Sequence, residues 1–254
     1  MHYLCSMMYY DIDNGIVAFS TERGCKDADL AYDGFNITYY TDDEPQHVAT
    51  CRQQLCTELG IGDERLILLR QVHDTRIAEV TAQTTREQLE GIDAVMTTLS
   101  RTCIGVSTAD CVPILIYDTC KHAIAAAHAG WRGSVGRIGS KTIETMGRHY
   151  GSRAEDLKVV IGPSIGPEAF EVGDEVYEAF CGAGFDMAQI AWQRGGKWHI
   201  DLWQANVQDI QQTGVAATNI KVAGICTYQH YDRFFSARRL GIKSGRIYTG
   251  IMIK

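Results

Sequence analysis

Apolar residues in this chain fall either into short unbroken runs or into longer stretches with a helical period, and the two alternate along its length. Ile16 to Ser20 reads as a strand. From Glu44 to Leu59, Val48, Cys51, Leu55 and Leu59 recur at helical spacing, which predicts an amphipathic helix that Gly60 is placed to end. Arg65 to Gln71 contains the uninterrupted Leu66-Ile67-Leu68-Leu69, which at that length predicts a strand buried on both faces, leading to His73. Further strands are expected at Ala94–Thr98, Cys103–Ser107, Val112–Tyr117 and Ala123–Ala127, the last running into His128. Ser134 to Tyr150 carries Val135, Ile138, Ile143 and Met146 with a helical period, and Gly151 follows as a C-cap. A strand at Leu157–Ile161, a helix from an Asp201 N-cap to Gln212, a strand at Ile220–Ile225 and a closing β segment at Arg246–Ile253 complete the pattern. Hairpin-length connections mixed with helical ones predict an α/β fold of the mixed, α+β-like kind, a large mixed sheet flanked by helices. With no linker, low-complexity tract or internal repeat, one domain over residues 1–254 is expected.

Composition narrows the class. The 254 residues carry 24 Lys and Arg against 31 Asp and Glu, a net charge of −7, which argues against a nucleic-acid partner because such affinity rests on neutralising phosphates. No stretch approaches the ~18 apolar residues of a membrane span. Met1 to Asp11 lacks the cationic and apolar regions of a signal peptide, so a cytoplasmic protein without a membrane partner is expected. Nine cysteines, an odd number with no C-x-x-C pair, predict reduced thiols rather than a disulfide framework. Twenty-five glycines against four prolines indicate tight turns rather than linkers.

Three polar residues stand at the ends of apolar strands, where burial is costly unless they bond to something: His73, Cys111 and His128. Imidazole and thiolate are donors that Zn²⁺ prefers, and three of them leave a fourth position open. The separations of 38 (111 − 73) and 17 (128 − 111) residues match no local zinc motif, so two other readings stand beside the metal. Cys111 is a possible nucleophile with His128 or His73 as base and Asp110 as orienter, or the histidines are core residues bonded to backbone. Copper also takes two histidines and a cysteine, but 8 histidines with no His-x-His pair are too few for a multi-copper cluster.

Nearby loops offer substrate contacts. Gly130-Trp131-Arg132-Gly133 precedes the helix expected at Ser134, so backbone N–H groups and Arg132 converge where phosphate can bind, unless the segment is only a tight turn. Gly162-Pro163-Ser164-Ile165-Gly166-Pro167 forms a rigid loop at a strand end. Phe170 offers a stacking ring, though a core role is simpler, and Glu171 a carboxylate for proton transfer. Arg238 and Arg239 can grip an anion or merely cover the surface.

Taken in order, Gln71-Val72-His73, Asp93-Ala94-Val95, Ala109-Asp110-Cys111-Val112-Pro113, His128-Ala129-Gly130-Trp131-Arg132-Gly133, Ile161-Gly162-Pro163-Ser164-Ile165-Gly166 and Ser236-Ala237-Arg238-Arg239 resemble the YfiH-type family. That family was once described as polyphenol oxidases or laccases and is now regarded as zinc-dependent purine nucleoside phosphorylases. The resemblance covers nearly the whole chain. It departs at Thr21-Glu22-Arg23-Gly24-Cys25, where relatives tend to have Thr-Arg-x-Gly-Gly, and at Ala237, where they often carry a larger ring. It implies zinc held by His73, Cys111 and His128, and phosphorolysis of adenosine, inosine, guanosine and 5′-methylthioadenosine, with adenosine deamination at the same metal. On that reading Asp110 and Glu171 are proton shuttles, Arg132 and Arg238 hold phosphate, and Ser164 and Phe170 line the pocket. Two rival readings are a metal-independent Cys/His hydrolase acting on a peptidoglycan precursor and a non-catalytic binding protein.

Overall fold

Continuous apolar runs such as Ile114 to Tyr117 are stable as strands only if both faces are covered, and that condition sets the layers of this molecule. The computed structural model describes residues 5–254. Along the chain it forms β1 (Met7–Tyr9), β2 (Ile16–Thr21), α1 (Pro45–Leu59), β3 (Ile77–Glu79), β4 (Ala94–Thr97), β5 (Ile104–Thr108), β6 (Val112–Asp118) and β7 (Ala123–Ala129). There follow α2 (Trp131–Val135), α3 (Ile138–Tyr150), β8 (Leu157–Ile161), β9 (Glu171–Val172), α4 (Asp174–Gly182), α5 (Met187–Ile190), β10 (Ala191–Arg194) and β11 (Lys197–Ile200). The chain closes with α6 (Leu202–Gln211), β12 (Ile220–Val222), α7 (Ala237–Leu240) and β13 (Ile247–Ile253).

The expected mixed α/β architecture is present. Its large mixed sheet has six strands in the order β12-β8-β6-β7-β4-β3, joined by a four-stranded sheet β1-β2-β13-β5 and a small sheet β10-β11-β9. Alternation along β6 explains the layering. Leu115 and Tyr117 pack with Ala18, Val106 and Ile251 of the four-stranded sheet, while Ile114 and Ile116 face Ile138, Met146 and Ile210 of α3 and α6. The far face of the four-stranded sheet, with Phe19 and Tyr248, is covered by Cys51 and Leu55 of α1. Helix, sheet, sheet and helix thus stack in four layers, and β6 and β7 are buried at the centre. Alanines at Ala123, Ala125 and Ala127 give α3 a flat strand to approach.

Several expectations are corrected. Arg65 to Gln71 is no strand: Leu66 and Arg70 make only isolated bridges to Cys103 and Glu90, and Ile67 and Leu68 are half-buried in the wall of a cleft. The helix expected from Ser134 begins at Trp131 and breaks at Arg137, whose φ of 62° is left-handed, before resuming at Ile138. The strand expected to reach Ile225 stops at Val222. Gly60 ends α1 in a left-handed conformation at φ 65°, and the Asp201 carboxylate accepts the Gln204 N–H at 2.9 Å, both as expected. Among the described residues no helix is long and apolar enough to cross a membrane.

Candidate metal centre

Strand register brings distant residues to one end of the six-stranded sheet. Val112 pairs with Ala129 and Pro113 with His128, which puts Cys111, just before β6, beside the end of β7. Ala94 pairs with Ala127, so Asp93 stands next to His128, and Ile77 pairs with Ala94, so the turn holding His73 enters the same corner. One donor atom from each of His73, Cys111 and His128 lies within 4.8 Å of the others. Cys111 Sγ is 3.8 Å from His73 Nε2, and the two imidazole rings meet nearly edge to face, 4.7 Å between centroids. His128 is buried and His73 exposed, so the cluster opens on the His73 side. Gly130 backs onto it: a Cβ there would stand 2.8 Å from His73 Cδ2 and 3.1 Å from Cys111 Sγ, a close approach that only glycine permits.

The residue that organises this corner is Asp93. Its buried carboxylate accepts the N–H groups of Val72 at 3.1 Å, His73 at 2.9 Å and Asp74 at 3.0 Å, and Nδ1–H of His128 at 2.8 Å. Three successive amides around one anion form a nest, which holds His73 in a left-handed conformation at φ 65° that a non-glycine residue rarely adopts. The same carboxylate fixes the His128 tautomer and leaves its Nε2 facing the cluster. Burial pushes the Asp93 carboxyl up, but the hydrogen bonds from His128 and the backbone, with the His128 charge, outweigh it and hold the group below its ordinary value. Sequence reasoning gave Asp93 no role. Its signal was a charged residue directly ahead of the wholly apolar Ala94-Val95-Met96.

Burial likewise pushes the Cys111 thiol up, yet the charge and hydrogen bond of His128, joined by His73, bring it down to about 6. His128 moves the opposite way: burial lowers it, while the Cys111 charge and the hydrogen bonds to Asp93 and Cys111 bring it up to about 9. The pair favours a thiolate beside an imidazolium. Two nitrogens and one thiolate converging on an open side fit a tetrahedral zinc ion with a free fourth position. A multi-copper centre does not fit, because among the described residues no other group of three potential ligands contains a histidine.

The remaining candidates divide. Asp110, at a left-handed φ of 83°, uses both carboxylate oxygens internally, accepting Thr227 Oγ1–H at 2.7 Å and the Arg238 N–H at 2.6 Å. It is a strut between Cys111 and the start of α7, not a free proton shuttle. Ser164 is buried, its hydroxyl accepting from Trp203 Nε1 at 2.7 Å and donating to the Gly162 carbonyl at 3.3 Å, so it braces its loop rather than a ligand. Phe170 belongs to the core, with the Arg238 guanidinium 5.6 Å above its ring. Arg132 is exposed on α2, 4.1 Å over the Trp131 ring, and α2 is only five residues long, so no helix N-terminus joins it as an anion site. Glu171 and Arg238, by contrast, line a cavity of about 490 Å³ together with Glu168, Arg194, Lys197 and His199. Asp110 ties Arg238 in that wall to Cys111. Arg23, buried and donating to the carbonyls of Asp33, Ala28, Leu30 and Tyr231, ties the two flanking loops together and has no access to the cluster.

Residues 17–254 match the family described as "Multi-copper polyphenol oxidoreductase laccase". The chain is 45% identical over 251 residues to the purine nucleoside phosphorylase of Bacteroides thetaiotaomicron, covering 94% of this chain and 92% of that one. It is 43% identical over 249 residues to adenosine deaminase RL5 from an unknown prokaryotic organism, covering 94% and 95%. The solved structure of the hypothetical protein YfiH from Bacillus licheniformis superposes with a TM-score of 0.91 at 26% identity, covering 98% of this chain and 97% of that one.

Proposed function

Because this chain belongs to the family described as multi-copper polyphenol oxidoreductase laccase, whose members named above process nucleosides, we propose that it is a zinc-dependent purine nucleoside phosphorylase with adenosine deaminase activity. The observation that carries this reading is the convergence of His73, Cys111 and His128 within 4.8 Å, ordered from behind by Asp93. Zinc held by these donors supplies a Lewis acid with an open coordination position. The chain's residues do the rest. Asp93 holds a proton on His128 Nδ1, so the proton that a metal displaces is the one on Nε2, the nitrogen that faces the cluster. Arg238 and Lys197 offer phosphate its positive charge in the cavity that Asp110 ties to Cys111, while Arg194 in the same wall is paired with Glu168 at 2.8 Å. Glu171 is the one carboxylate of the expected site that faces this cavity, and it takes the proton-transfer role. Substrates are adenosine, inosine, guanosine and 5′-methylthioadenosine, cleaved with phosphate to the free base and the corresponding sugar 1-phosphate; adenosine also gives inosine and ammonia with water.

Incubating the zinc-loaded protein with inosine and phosphate tests this directly. Hypoxanthine and ribose 1-phosphate are expected in equal amounts, and both vanish in Cys111→Ala. Inosine, adenosine and methylthioadenosine all left intact by zinc-loaded protein would refute it.

One observation favours a second reading. Cys111, His128 and Asp93 stand in the order thiolate, imidazole, carboxylate, the arrangement of a cysteine hydrolase, here acting on a peptidoglycan precursor. Metal-free protein that turns over such a precursor and loses that activity on alkylation of Cys111 supports it; one tightly held zinc per chain with Cys111 shielded supports the first.

A further inference from the structure

A second group of potential ligands lies at the other end of the central strand pair. β6 is seven residues long, which at ~3.3 Å per residue puts Asp118 roughly 20 Å from Cys111. There, one carboxylate oxygen of Asp118, Sγ of Cys120 and one carboxylate oxygen of Asp156 lie within 4.8 Å of one another. We propose that these three residues form a binding site for a divalent cation, distinct from the His73, Cys111 and His128 cluster.

Asp118 is the observation that separates this corner from an ordinary acidic turn. It is buried at 0% exposure, and its two oxygens are treated differently. Oδ1 accepts the N–H groups of Cys120 at 2.8 Å and Lys121 at 2.9 Å, which folds the turn between β6 and β7 around it. Oδ2 is buried and has no hydrogen-bond partner. A carboxylate oxygen removed from water without a partner is costly, and no lysine or arginine pairs with Asp118 among the described residues. A metal ion supplies what the protein does not. The other two donors are already carried to the spot: Thr119 donates both its N–H and its hydroxyl to the Asp156 carbonyl, at 3.0 and 2.9 Å, stapling the turn to the segment that bears Asp156.

The donor set selects the cation. Two carboxylates and a thiolate suit zinc or cadmium better than magnesium or calcium, which take oxygen alone. Cys120 is exposed, so an ion and the waters that complete its shell reach the site from solvent. In the metal-free protein a hydrogen bond to Asp156, with burial and the nearby carboxylate charges, holds the Cys120 thiol above its ordinary value. Metal binding therefore breaks the S–H bond and forms S–metal, and the proton leaves to solvent. The consequence is a clamp on the β6–β7 turn.

The test uses the full chain, stripped with chelator and titrated with Cd²⁺, whose thiolate charge-transfer absorption counts cysteine-bound ions. Wild type is expected to take up two equivalents and Cys111→Ala one. In the Cys111→Ala chain, adding Cys120→Ala abolishes the remaining signal. Adding Asp156→Asn, which keeps every remaining thiol and changes a partly exposed residue, weakens it by about tenfold or more. Excess Zn²⁺ is also expected to slow alkylation of Cys120 in the Cys111→Ala chain. Absence of a second equivalent overturns the proposal, as does a second equivalent that Asp156→Asn leaves unchanged, which places the ion on another cysteine.

Discussion

Replacing Asp93 by asparagine changes one atom in a buried carboxylate that accepts four hydrogen bonds, and each orientation of the amide fails differently. With its oxygen kept on His73 N–H and His128 Nδ1, the NH₂ group confronts the N–H groups of Val72 and Asp74, donor against donor. Two part-buried donors then lose their acceptor, at about 1 kcal/mol each, for a total loss of about 2 kcal/mol. With the amide flipped, the NH₂ group faces the His73 N–H and His128 Nδ1. The imidazole must then move its proton to Nε2, the nitrogen needed as a donor to metal. Either way zinc affinity falls, by the ~10–100-fold typical of losing a partner behind a ligating histidine, or more. Competition against a chromophoric chelator measures the affinity, and urea unfolding of the zinc-free protein measures the stability. An Asp93→Asn chain that binds zinc within about twofold of wild type and unfolds at the same urea concentration would refute the assignment of Asp93 as the organiser of the corner.

Three further outcomes are expected. In the metal-stripped protein, Cys111 with its thiol near 6 is already a thiolate at neutral pH, so its alkylation rate rises through pH 6 and is flat above it; a rate still climbing tenfold per pH unit at pH 8 contradicts the pairing with His128. Thr227→Val removes the hydroxyl that donates to Asp110 at 2.7 Å and costs about 1–3 kcal/mol in urea unfolding while leaving one zinc at the His73 cluster; unchanged stability would show that Asp110 is not a strut. Gly105→Ala drives a Cβ to 2.5 Å from the Thr249 carbonyl and 2.6 Å from the Tyr248 ring, so thermal unfolding is expected to show a loss of about 2 kcal/mol or more, and a loss under about 0.5 kcal/mol would count against the packing of β5 on β13.

What was legible in the sequence follows from what is local. His73, Cys111 and His128 stand out because each is a polar residue at the end of an apolar run, and the central strands stand out because both faces are apolar. The Leu66 to Leu69 run misleads because apolarity alone does not supply hydrogen-bonding neighbours: only single bridges reach it, and its side chains wall a cleft instead. The β10–β11 hairpin had a signal that went unread. Arg194-Gly195-Gly196-Lys197 puts two glycines, at φ 60° and 76°, between strands, the turn that demands positive φ at both positions. The roles of Asp110 and Ser164 were beyond reach, because their partners Thr227, Arg238 and Trp203 lie between 39 and 128 residues away.

The same donor arrangement serves zinc or a cysteine nucleophile, so the choice between them rests on the residue that only one requires. A hydrolytic triad is complete with Cys111, His128 and Asp93; His73 adds to it only a hydrogen bond and a charge that help to hold the Cys111 thiol down. Yet the chain holds His73 in a left-handed conformation, a strain of order 1 kcal/mol or more for a residue with a Cβ, and spends three amides of Asp93's nest to keep it there. It also keeps glycine at position 130, where any side chain would collide with His73 and Cys111 together. Backbone strain that brings a second imidazole within 3.8 Å of a thiolate already paired with His128 is required by a metal ion that needs a third donor, whereas thiolate chemistry gains from it only a further lowering of a thiol that His128 already holds down. His73→Ala divides the two: it removes zinc and phosphorolysis together if the metal reading holds, and leaves a cysteine hydrolase active.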